Sequence, residues 1–228
     1  MSDWLGLLTK ARIGPSLAGV GLTGVLADPF LTLYNGSGQV ILSNDNWKDT
    51  QQSQIQATGL APSNNLESAI LATISPGNYS VILQGKGGGT GIGLVDVYAL
   101  QGTAEISNFS VRAKVGTGNN VLIGGVIVQS TGGGPQVLVR GLGPSIPGVT
   151  GKLQNPMLQL FDANGVMLAS NNNWQDTQAA DIQATGKAPA NSFESAILIN
   201  LVPGNYTAIE SGANNTTGIG LLEFYKLH

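Results

Sequence analysis

An internal duplication constrains this chain more than any other feature. Residues 28–100 align with residues 155–227 without a gap, at a constant offset of 127. Roughly half of the paired positions are identical. The shared blocks keep one order: SN(D/N)NW at 43–47 and 170–174, IQATG at 55–59 and 182–186, ESAIL at 67–71 and 194–198. PGNY at 76–79 and 203–206 follows, then TGIGL at 90–94 and 217–221. Upstream, IGPSL at 13–17 parallels LGPSI at 142–146. Self-similarity over so long a stretch predicts two tandem copies of one structural unit. We place them at residues 1–102 and 103–228.

Each copy reads as β structure. Apolar runs at 30–34 and 40–42 flank Asn-Gly-Ser-Gly, and runs at 157–161 and 166–168 flank Asp-Ala-Asn-Gly. Such turns supply the positive φ that a tight hairpin needs. Further strands are predicted over 67–74, 79–83 and 92–100. The stretches 49–58 and 176–185 read either as one or two helical turns or as a long loop. Many short strands separated by turns every 8–12 residues predict an all-β chain of two tandem β-sandwich or jelly-roll-like units.

The copies are unequal. The second is preceded by apolar or alternating runs at 106–111, 121–129 and 137–140, whereas the first has only residues 1–10. The first unit should therefore lack about two strands. A sandwich short of strands leaves an open edge, which is a template for pairing.

The series of SN(D/N)NW, ESAIL, PGNY and GIGLVDVY or GIGLLEFY resembles a repeat of secreted and surface proteins of environmental bacteria. More distantly, it is similar to the bacterial pre-peptidase C-terminal β-sandwich domains. The resemblance implies a non-catalytic, accessory or structural role outside the cell or at its surface. It also implies that loops of this kind can bind calcium or polymers such as collagen and glycans.

Composition narrows the choice. Only 10% of residues are charged and the net charge is −3. No basic run exists to displace phosphate counterions, so nucleic acid is excluded as a partner. No apolar stretch is long enough to predict membrane insertion as a helix. A neutral polar surface opposes self-association weakly. Cysteine is absent, which removes disulfides and thiolate chemistry. The N-terminal residues do not read as a secretory signal, so an exported form would be a mature one.

Candidate chemistry is sparse. The single histidine is the terminal His228, a poor place for a catalytic base. The G-x-G-x-x-G at 19–24 runs into Asp28-Pro29 rather than a helix, and reads as a turn. The repeated carboxylates Asp49/Asp176, Glu67/Glu194 and Asp96/Glu223 read as structural, a glutamate at a strand start binding backbone amides. We therefore expect no catalytic residues and no required cofactor. Two loop features remain. Asn44, Asp45, Asn46, Asp49, Asn171, Asn173 and Asp176 are either calcium ligands or an Asx-turn network. Trp47 and Trp174 are either sugar-stacking platforms or packing anchors. The chain thus reads as a self-assembling structural sandwich, a homo-oligomer or filament, with a calcium-assisted polysaccharide-binding module as the alternative.

Overall fold

Alternating apolar and polar residues build most of the strands in the computed structural model, which describes residues 5–11, 15–19, 21–101, 106–129 and 134–227. The chain folds as two units, Met1–Ile106 and Ser107–His228. The first contains β1 (Leu5–Ala11), α1 (Pro15–Ala18), β2 (Pro29–Asn35), β3 (Val40–Asn44), α2 (Gln52–Ala57), β4 (Ala69–Ile74), β5 (Tyr79–Gly85) and β6 (Val95–Gln101). The second contains β7 (Asn108–Val115), β8 (Leu122–Val128), β9 (Gln136–Leu142), β10 (Pro156–Phe161), β11 (Met167–Asn171), α3 (Ala179–Ala184), β12 (Ser195–Asn200), β13 (Gly204–Gly212) and β14 (Gly218–Lys226). The chain is all-β, and every pairing between these strands is antiparallel.

The predicted hairpins form. In β2–β3, Asn35 Oδ1 accepts the N–H groups of Ser37 (3.1 Å) and Gln39 (2.9 Å). Asp162 does the same after β10, accepting from Asn164 (2.8 Å) and Val166 (2.9 Å). These bonds to the charged form, Val166's first, hold the Asp162 carboxyl below its usual range. Gly38 (φ 79°) and Gly165 (φ 76°) take the left-handed position in the two turns. The stretch after SN(D/N)NW resolves into the single helical turns and a half of α2 and α3, each pinned by one buried isoleucine, Ile55 or Ile182.

Each unit stacks two sheets. In the first they run β4-β1-β6 and β3-β2-β5; in the second, β12-β9-β14-β7 and β11-β10-β13-β8. Aligned strands occupy the same places, with β1 standing where β9 stands. Lys10 of β1 lies between Ala69 and Asp96, as Arg140 of β9 lies between Ala196 and Glu223. The strands without a counterpart among the described residues of the first unit are β7 and β8. β7 pairs with β14 and β8 with β13. The two also pack on each other, so they close one side of the second sandwich together.

The cores reflect this difference. In the second unit Leu158, Leu160, Val139, Ile197, Ala208, Leu222 and Phe224 form one cluster, joined by Val115 of β7 and Leu122 and Val128 of β8. Phe109 stacks on Phe224 at 4.6 Å between ring centroids. In the first unit Leu26, Leu31, Leu33, Ile70, Ala72 and Ile74 are buried, but Tyr79, Val81, Leu83 and Val95 are only partly covered. Val97, aligned with Phe224, is 45% exposed where Phe224 is 3% exposed.

Candidate functional site

The SN(D/N)NW loops are built by amides that bind backbone. Asn44 is buried at the end of β3; its Oδ1 accepts the Ala69 N–H (2.9 Å) and its Nδ2 donates to Asn46 O (3.0 Å). Asn171 repeats both bonds with Ala196 N–H and Asn173 O, each at 3.0 Å. These two side chains, predicted as candidate calcium ligands, are therefore turned into the sheet, because the strand that follows needs its first amide satisfied. Asn46 and Asn173 donate to Asp49 (3.1 Å) and Asp176 (3.0 Å). The Lys86 ammonium pairs with Asp45, and that hydrogen bond raises the lysine's pKa. A cation bound at Asp45 would compete with it. Three side-chain oxygens in each copy have no protein donor, at matching positions: Asp28, Asp45 and Asn46, then Asn155, Asn172 and Asn173. Among the described residues no group of three or more His, Cys, Asp or Glu is placed to hold a metal ion.

Trp47 and Trp174 offer no stacking platform. They are 4% and 7% exposed and pack on Ile55 and Ile182. Each backbone N–H binds the carbonyl of the repeated glutamate, Glu67 or Glu194, at 2.8 Å. The sequence left both roles open for a repeated tryptophan; burial beside Ile55 and Ile182 is the packing an anchor has.

Of the repeated carboxylates, Glu67 and Glu194 hold backbone groups and Glu223 holds a partly buried cation. Glu194 is fully buried. Its Oε1 accepts from Gly143 N–H (3.0 Å), Ser145 N–H (2.9 Å) and Ser145 Oγ–H (2.6 Å), and its Oε2 from Asn191 N–H (3.2 Å). This explains why the GPS block and the ESAIL block recur together: one fixes the other. Glu67 accepts from Asn64 N–H (3.3 Å) and from the Ser16 hydroxyl. Glu223 pairs with Arg140, which also donates to Lys187 O (2.6 Å) and lies 4.9 Å from the Tyr225 ring. His228 and Val20, within the glycine-rich turn, lie outside the described residues.

The feature with no counterpart in a finished sandwich is the open side of the first unit. Among the described residues nothing pairs with the outer edges of β5 and β6, the two edges that β8 and β7 cover in the second unit. Both edges lie on one side, because β3 packs on β4 at the other. β5, YSVILQG, carries neither charge nor proline, and its Ile82 is 44% exposed. Such an edge lacks the usual devices that prevent strand addition. The sequence shows a length difference before the two copies, but which edges stand bare among the described residues required the pairing of β13 with β8 and β14 with β7.

The chain is thus a two-unit antiparallel β protein. Comparison with known proteins adds little. No family model matches, and no curated protein matches. Among solved structures, the infectious bursal disease virus VP2 subviral particle aligns over 99% of this chain and 57% of that one, at 10% identity and a TM-score of 0.22. The Gx strain of the same virus aligns at 9% identity and a TM-score of 0.20. The chain spans little more than half of the viral chains, and likeness at this level carries no argument about fold or function.

Proposed function

We propose that this is a non-catalytic structural protein that works outside the cell or at its surface by associating with copies of itself. The observation that carries the reading is the open side of the first unit, where two sheet edges and a partly exposed core face are left together. The outer edge of β5 has no strand partner among the described residues, and such an edge favours strand addition, the mode by which sheets recruit further chains. Low charge supports the reading, since little repulsion opposes close approach. The engagement of Glu67, Glu194 and Glu223 in fixed internal bonds supports a structural use of the repeated carboxylates. The likeness of the repeats to those of secreted bacterial proteins supports the location. Sedimentation velocity over a wide concentration range, with negative-stain imaging, tests it. Association into a homo-oligomer or filament is expected; a folded species that stays monomeric at the highest concentration overturns the proposal.

A further inference from the structure

Resting on that reading, we infer that the partner of the open side is the same open side of a second copy, joined by two-fold symmetry. What needs covering is definite. Val81, Leu83, Val95 and Val97 line the gap, at the positions where the second unit has Ala208, Glu210, Leu222 and Phe224 beneath β7 and β8. A cover must therefore extend both sheets at once.

Strand direction selects among the surfaces of a second copy. All strands alternate in direction across each sheet. A half turn about an axis normal to the sheets brings two first-unit sides together with β5 on β5 and β6 on β6, and sets every new pair antiparallel. Bringing the β5/β6 side against the β7/β8 side of a second copy sets every new pair parallel, whichever half turn is used. Parallel pairing is the less stable per residue and the rarer between sheet edges.

Charge disfavours the pairing of two second-unit sides. The corresponding edge of the second unit carries Arg112 and Lys114 on β7. Two such edges would repel each other, which is a common way to keep an edge from pairing. β5 has no charge and β6 carries only Asp96, so two first-unit sides meet with a smaller penalty. Because the contact is isologous it closes on itself, and the product is a dimer with two six-stranded sheets across the interface rather than an open filament.

The test uses the full chain in sedimentation equilibrium. The expected result is a monomer–dimer equilibrium with no larger species. Ile82→Lys, on the outward face of β5, should weaken it by about tenfold or more, since like charges then sit near the symmetry axis. Ile127→Lys, on the outward face of β8 and 64% exposed in the native chain, should leave it unchanged. Ser80→Lys replaces Ile82→Lys if that variant fails to melt cooperatively. Growth beyond the dimer, or a dimer that loses affinity through Ile127→Lys and not through the β5 variants, overturns the two-fold pairing while keeping self-association. A monomer at every concentration overturns both.

Discussion

Glu210 is the residue whose placement the sequence least prepares for. It sits in β13 with no exposed surface, and among the described residues the only donor near its carboxyl is the Leu221 N–H, which does not reach good hydrogen-bond geometry. Burial, then the nearby Glu194 charge, pushes its pKa up to about 8 from an ordinary 4.5. The first copy has Leu83 at the aligned position, so the unit tolerates an apolar residue there. In the unfolded chain the proton leaves near pH 4.5, whereas in the fold it leaves near 8. The folded state thus binds the extra proton between these values, and stability falls as pH rises through that window and then levels off. Glu210→Leu should raise stability at pH 8 by on the order of 4 kcal/mol and much less at pH 4. Thermal melting at both values checks this; an equal gain at each pH would rule out ionisation as the cause. The neighbouring glutamates were easier to read. Glu67 and Glu194 recur at a strand start before an apolar run, a place where a carboxylate can serve backbone amides. Glu210 sits in an alternating strand where the pattern alone gives no sign of what lies opposite, here Gly220, which has no side chain to meet it.

At the scale of elements, turn chemistry made the hairpins legible, because Asn35 and Asp162 must bind the backbone two and four residues on for the chain to reverse. The segments after Trp47 and Trp174 were not. Their six helical residues have no side-chain cap bond, and they hold their place through Ile55 and Ile182 under the tryptophan and through Gln51 and Gln178 bracketing Leu71 and Leu198. Those are tertiary contacts, invisible to local pattern. Nor could sequence say that β7 and β8 belong to different sheets. That arrangement gives β7 its energetic weight: Phe109 covers Phe224, with Val111 and Val115 along the same face. Phe109→Ala should destabilise the second unit by about 3 kcal/mol, near the lower end for a buried aromatic because Phe109 is only partly buried. Denaturant unfolding would show this; a loss under about 0.5 kcal/mol would mean that β7 is dispensable to its own core.

At the scale of the molecule, one repeated unit is realised twice at different degrees of completion. Among the described residues the second sandwich has two four-stranded sheets and a closed core, and the first has two three-stranded sheets and a core face left half open. The duplication was legible because identity persists through turns and loops as well as strands. The inequality was legible as a length difference, and only the pairing shows it to be two bare edges on one side. From that follows the central claim, that copies of the chain join through the first unit. Amide hydrogen exchange read strand by strand at two protein concentrations tests it most directly. Protection of β5 and β6 should rise with concentration while β7 and β8 stay unchanged. Exchange of β5 and β6 that is fast and independent of concentration would contradict the account.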